Sequence, residues 1–349
     1  MNSKKRILVA PLDWGLGHAS RCIPIIRQLQ QHNFEVLIGS YGRSSQLLKE
    51  EFPKLEFIIF EGVKMKYHTG IPLSVSMFFQ IPKFMYSIFK EHKKIQQIVD
   101  NYQIDGIISD NRYGLFLPNI PSVFITHQLQ IQTPILKLFL QKINYYFIEK
   151  FTKCWIIDSK DQNLSGVLSN PEKLPNNYEY IGTQSRLKWK KENIKYDVGV
   201  IVSGPEPQRT NFEEMILHQL QQNNSKSILI LGKTEQQQKQ KKGEVTIINY
   251  ANSKDINKYI LQSEIIICRA GYSSIMDLEK LNKKAILIAT PGQTEQEYLA
   301  HQLSEKGVFL SKNQNEFDLN NAIIESETYS GFRGYKSVET NWKELFSIF

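Results

Sequence analysis

Cysteine is scarce in this chain. It has three in 349 residues, Cys22, Cys154 and Cys268. No two are spaced as metal ligands or as a redox pair, and three distant thiols make no disulfide framework. Each lies in or beside an apolar segment, so buried reduced thiols are expected, as in a cytosolic protein. Long hydrophobic runs are lacking too. No stretch reaches the roughly 18 uncharged apolar residues of a membrane-spanning helix. Lys4, Lys5 and Arg6 precede an apolar run, but that run covers only 7–12, too short for a signal-peptide core.

The chain has enough apolar and aromatic residues, 41% and 11%, for packed globular structure. Its length exceeds what one core usually fills, so two domains are expected. Lys and Arg outnumber Asp and Glu by 43 to 35, a net charge of +8. That suits anionic partners such as phosphorylated ligands, nucleic acid or an acidic membrane surface. A general bias towards lysine accounts for it equally well.

Short, continuous apolar runs fall at 6–12, 34–38, 55–60, 104–109, 122–126 and 154–157. Amphipathic stretches separate them, the pattern of buried parallel strands in βαβ units. Polar, basic residues near 184–196 read as a linker. The pattern then restarts at 198–202, 227–231, 245–248, 264–268 and 285–289. Residues 233–244, rich in Gln and Lys, read as a loop. The tail 334–349 reads as a terminal helix docking through Trp342, Leu345, Phe346 and Ile348. The expected fold class is α/β. The domains are 1–184 and 185–333, with the helix 334–349 packing back towards the first.

Gly15, Gly17 and His18 stand where the first strand becomes a helix. Such a turn lets backbone approach an anion, and the helix start supplies free N–H groups. A dinucleotide fingerprint would need a third glycine where Ser20 stands and an acid after the second strand, where Gly39 and Ser40 stand. His18 at a helix start is expected to stay neutral, the form of a general base. A packing histidine is the other reading. In the second half, Arg269 and Gly271 lead into Ser273, Ser274 and Asp277. Gly271 and Ser274 suit a diphosphate and Asp277 ribose hydroxyls; an ordinary capped helix fits as well. Glu295 and Gln296 open a helix after Pro291 and Gly292, and suit sugar hydroxyls. Ser203 and Gly204 follow a strand, and Arg209 is placed to pair with phosphate.

Together these motifs resemble the family 28 glycosyltransferases of GT-B type. The resemblance rests on Gly15-Leu16-Gly17-His18, on Arg269, Gly271 and Asp277, on Pro291 with Glu295, Gln296 and Glu297, and on Gly182 with Arg186. It implies two Rossmann-like domains facing across a cleft. It also implies donor binding by Arg186 and by Tyr250 and Ala251 near the base, and an acceptor-side loop of Gly15, Gly17 and Arg21. His127 begins His127-Gln128-Leu129-Gln130, where the family has His-Glu-Gln-Asn. The first loop lacks the family's run of glycines, the loop at Ser203 is richer in proline, and the ribose acid is Asp rather than Glu.

The activity implied is an inverting, metal-independent transfer from a UDP-sugar to an acceptor hydroxyl, sugar-borne or lipid-linked. His18 serves as base, and Arg186 or Arg269 stabilises the leaving diphosphate; Asp110, at the end of its strand, either orients the acceptor or His18 or simply caps the strand. No Asp-x-Asp motif is present, and neither cofactor nor nucleic acid is expected. Residues 70–94 set Met77, Phe78, Phe79, Ile81, Phe84, Met85, Ile88 and Phe89 before Lys90, Lys93 and Lys94, a pattern that suits an anionic bilayer surface and fits a core helix pair with a solvated basic end slightly better. The expected location is cytoplasmic, peripheral at the inner face of the membrane. The competing readings are a UDP-sugar 2-epimerase and a non-catalytic UDP-sugar binder.

Overall fold

The computed structural model describes residues 4–62, 80–131, 137–233, 238–335 and 338–349. The chain divides into two compact units, Met1–Gln184 with Lys336–Phe349, and Ser185–Tyr335.

In the first unit the elements run β1 (Arg6–Pro11), α1 (Leu16–Gln31), β2 (Glu35–Ser40), α2 (Gly42–Glu51), β3 (Glu56–Ile59), α3 (Ile81–Tyr102), β4 (Gly106–Asp110), β5 (Ser122–Thr126), α4 (Lys137–Ile148), β6 (Lys153–Ile156) and β7 (Tyr178–Tyr180). The seven described strands form one sheet in the order β3-β2-β1-β4-β5-β6-β7. Every pairing is parallel. A parallel sheet is covered on both faces, which is why its strands are apolar without alternation. Ile7, Val9, Ile107, Val123, Phe124 and Ile125 are all fully buried.

The second unit repeats the plan with β8 (Tyr196–Ile201), α5 (Gln208–Gln222), β9 (Ser227–Ile230), β10 (Lys239–Lys242), β11 (Val245–Ile248), α6 (Ser253–Leu261), β12 (Ser263–Cys268), α7 (Tyr272–Leu281), β13 (Ala285–Ile288), α8 (Thr294–Glu305), β14 (Leu310–Lys312) and α9 (Leu319–Ser326). Its order is β10-β11-β9-β8-β12-β13-β14. Strand β10 is the antiparallel member, Lys239 opposite Ile248. This corrects the reading of 233–244 as loop: residues 239–242 form an exposed edge strand, and its lysines discourage further pairing.

Residues 334–349 do not form one helix. A single turn, α10 (Trp342–Leu345), runs into a 3₁₀ turn, Phe346–Ile348. The segment packs on the first unit. The Phe346 ring lies 6.1 Å from Trp155 and the Phe349 ring 6.3 Å from Phe34. Thr340 Oγ1 donates to the Ile181 carbonyl at 2.6 Å. Gly106 is the close-approach point, because a Cβ there would lie 2.4 Å from Phe349 Cδ1.

The first strand sits between the second and fourth in one sheet (β2 and β4) and between the second and fifth in the other (β9 and β12), so the loops leaving the two central strands diverge. Ligands of open α/β sheets bind at that point. It lies beyond β1 and β4 in one unit, and beyond β8 and β12 in the other.

Candidate active site

Strand β1 ends at Pro11 and α1 begins at Leu16. Gly15 is extended, with φ 176°, and a Cβ there would touch nothing within 4 Å. Neither conformation nor packing requires glycine at 15. His18, Arg21 and Cys22 follow at the i, i+3 and i+4 spacing of one helix face. That face meets Asp110, the last residue of β4.

Nδ1 of His18 lies 2.9 Å from Asp110 Oδ1. Arg21 grips the same carboxylate from its other side: Nε donates to Oδ2 at 2.6 Å, and Nη2 donates to Oδ1. Cys22 Sγ lies 3.5 Å from Oδ2. Asp110 is fully buried and Arg21 nearly so, while the His18 side chain keeps 20% exposure. Burial alone would raise the Asp110 pKa. The Arg21 guanidinium and His18 outweigh it and hold the carboxyl far below the usual carboxylate range. His18 is pushed below its ordinary value, first by burial and further by Arg21, with Asp110 opposing. The lowering was expected from the helix start; its main cause is burial. Cys22 is pushed well up by burial, then by Asp110, and so stays a thiol.

Arg21 also reaches His127, just beyond β5: Nη1 lies 2.7 Å from Nδ1. The structure thus joins His18, Asp110, Arg21 and His127 into one cluster. The 106-position separation of Arg21 and His127 hides that link in the sequence. The only hint was two polar residues placed close after central strands. Gly17 is inside α1, its carbonyl accepting from Ser20 Oγ.

In the second unit, Gly271 precedes α7, and a Cβ there would again touch nothing within 4 Å. No side chain caps this helix. Ser273 and Ser274 occupy its first turn, partly buried. One turn on, Asp277 Oδ1 accepts from Ser185 Oγ at 2.5 Å. Burial raises the Asp277 pKa to about 6, against the pull of Arg186 and Ser185. Arg186 therefore stands beside the carboxylate expected to bind ribose.

Two arginines take other roles. Arg269 is 1% exposed. Its Nη1 donates to the Ala289 carbonyl at 3.1 Å, and its Nη2 to Gln208 O at 3.0 Å and Gln314 Oε1 at 2.6 Å. Its guanidinium lies 4.2 Å from the Phe212 ring centroid. It ties the start of α5 to the segments at Ala289 and Gln314, which replaces the diphosphate-facing role expected for it. Arg209, in the first turn of α5, is bound by Glu206 and by the Leu231 carbonyl beyond β9, 3.3 Å away, so its charge is engaged within the protein. Gln296 Oε1 accepts from Thr290 N at 2.9 Å, and Glu297 Oε1 from Gly292 N at 2.8 Å. Both brace the turn that presents Glu295. Ser203 and Gly204 follow β8, and Gly204 needs its glycine for a φ of 113°. Ala251 is buried, and Tyr250 and Ala251 lie just before Asn252, whose side chain caps α6.

Residues 204–332 match the glycosyltransferase family 28 C-terminal domain. The chain is a glycosyltransferase. Solved structures agree on the fold. The glycosyltransferase SnogD from Streptomyces nogalater has a TM-score of 0.64 at 10% identity, covering 99% of this chain and 100% of that one. MurG of Acinetobacter baumannii has a TM-score of 0.54 at 14% identity, with 94% and 92% covered. The spinosyn rhamnosyltransferase SpnG, solved with thymidine diphosphate, has 0.58 at 11%, with 94% and 93% covered. The transferase has the GT-B fold of these proteins. A search of curated proteins finds no match.

Proposed function

We propose that this transferase moves a sugar from a UDP-sugar to an acceptor hydroxyl, with inversion and without a metal. The observation that carries this reading is the His18–Asp110 pair. A carboxylate offers only lone pairs, so His18 Nδ1 carries the proton and Nε2 keeps the lone pair of a base. His18 Nε2 takes the acceptor proton. The hydroxyl oxygen then attacks the anomeric carbon from the face opposite the leaving diphosphate, and the anomeric configuration inverts. Asp110 stabilises the imidazolium that forms. In the donor unit, Asp277 receives the ribose hydroxyls, the N–H groups at the start of α7 meet the diphosphate, and Arg186 adds positive charge beside them. A glycine at 271 with no steric reason of its own fits a ligand lying against the backbone.

The epimerase reading needs carboxylates that exchange protons. Asp110 is held ionised by Arg21, which argues against it. A non-catalytic binder would not need His18. The test is incubation with UDP- and dTDP-sugars and candidate acceptors, with the product's anomeric configuration read by NMR. A new glycoside of inverted configuration, lost in His18→Ala, supports transfer. An isomerised nucleotide sugar or retained configuration overturns it.

For the acceptor we propose a lipid-linked molecule, met at a membrane surface by a cytoplasmic enzyme. Residues 70–79 of the expected membrane segment lie outside the described residues. The rest opens α3, where Tyr86 and Phe89 are exposed beside Lys90, and α4 exposes Leu138, Phe139 and Tyr146. Phe84 of α3 and Phe147 of α4 lie 5.8 and 6.1 Å from the Tyr113 ring, so both helices pack against Tyr113. Large apolar side chains among lysines suit an anionic interface. Among the described residues no helix is long and apolar enough to cross a membrane.

A further inference from the structure

Arg21 touches two histidines, and what it allows each of them differs. An arginine only donates. Its Nη1 lies 2.7 Å from His127 Nδ1, so that nitrogen accepts and is unprotonated. The His127 proton must then sit on Nε2. His18 is fixed the other way. Its Nδ1 faces the Asp110 carboxylate at 2.9 Å and donates, leaving the lone pair on Nε2. Arg21 Nη2 also lies 3.0 Å from His18 Nδ1 and competes for that nitrogen, but the charged carboxylate at 2.9 Å is the stronger partner and keeps the proton there.

We propose that Arg21 is a positioning residue that fixes His127 in the tautomer opposite to the one Asp110 imposes on His18, so that His18 alone is a base at Nε2 and His127 is held there as a hydrogen-bond donor. The inference rests on the transfer reading for its consequence, but not for its geometry. Arg21 also occupies one face of Asp110, which limits how much of that carboxylate's charge reaches His18. Among the described residues, the charged or titratable groups packed around His18 are Asp110 from β4, Arg21 and Cys22 from α1, and His127 beyond β5. Removing Arg21 takes away a repelling cation and frees the carboxylate. Both changes favour the imidazolium, so the lower limb of the pH–rate profile moves up.

The tautomers are read directly by two-bond ¹H–¹⁵N correlation of the ring nitrogens in the whole protein, assigned with His18→Gln and His127→Gln. The expected result at pH 7.5 is His18 protonated on Nδ1 and His127 on Nε2. Arg21→Gln and Arg21→Met should give His127 a mixture of tautomers. In Arg21→Met the lower limb of turnover against pH should rise by about one unit, with kcat down and the donor KM unchanged. Arg21→Lys, which keeps charge but cannot fork, should restore the limb and leave the His127 mixture. His127 protonated on Nδ1 in the unaltered protein would overturn the inference and leave the transfer reading standing. Intact tautomers without glycoside product would sink the transfer reading and leave Arg21 in its place. If Arg21→Met fails to fold, the spectrum of the unaltered protein still decides the assignment.

Discussion

His18 Nδ1 and Asp110 Oδ1 lie 2.9 Å apart, one from the first turn of a helix and the other from the end of a strand 92 residues later. Asp110→Asn keeps the shape and loses the charge. Turnover is expected to fall roughly 100-fold or more, with UDP affinity unchanged. The same variant leaves Arg21 buried against a neutral amide, which costs about 3–5 kcal/mol. Steady-state kinetics and a thermal melt separate the two effects. A variant as stable and as active as the parent would show that the pair is neither structural nor catalytic.

His18 must be neutral to take a proton. Its pKa is lowered, so the neutral form persists to lower pH than for an ordinary histidine. Turnover against pH should rise through a limb below 6.5 and stay flat up to pH 8. His18→Ala should lose roughly 100-fold or more and lose the limb as well. A limb above pH 7 in the parent protein would contradict the geometry.

Asp277 is pushed up to about 6. It is mostly protonated at pH 5 and ionised at pH 7.5, and only the ionised form accepts two ribose hydroxyls. UDP binding should therefore strengthen as pH rises through about 6. Part of any slope belongs to the diphosphate itself, so calorimetry on Asp277→Asn supplies the reference. Parallel slopes in the two proteins would remove Asp277 from the site. At neutral pH, Asp277→Ala should weaken UDP by about 1–3 kcal/mol.

At Gly106 a single methyl group meets Phe349 and Ile7, with contacts of 2.4 to 2.9 Å. Gly106→Ala should cost about 1–3 kcal/mol by overpacking. Phe349→Ala in the same chain should recover part of it. Melting temperatures of the two singles and the double decide, and strict additivity would mean that the two sites do not touch.

Vesicles of phosphatidylglycerol should carry the protein down in low salt and release it in high salt. Tyr86→Ser with Phe89→Ser and Lys90→Ser should abolish the sedimentation. No sedimentation of the parent in low salt would leave the acceptor a soluble molecule, and equal sedimentation of the triple variant would take the membrane contact away from α3.

Most strands were legible because a covered parallel strand is apolar on both faces, as at Ile7–Ala10 and Ile107–Ile108. Residues 239–242 gave no such signal. Four polar side chains with no buried face become a strand only because Val245–Ile248 lies alongside. His18 stood out by its glycine neighbours. Its link to His127 was hidden, because it depends on β1, β4 and β5 being adjacent in one sheet. Arg269 misled for the opposite reason. Its neighbours in sequence suggest an anion site, whereas the carbonyls and amides that occupy it come from residues 208, 289 and 314.

The return of residues 338–349 to the first unit has a consequence for synthesis. A ribosome makes the N-terminal unit's seven strands first, then all of the donor unit, and only then Phe346 and Phe349. Until they emerge, Trp155 and the face around Gly106 lack their cover. The unit begun first is finished last, and a nascent chain stopped at residue 335 carries an exposed aromatic surface for chaperones to find.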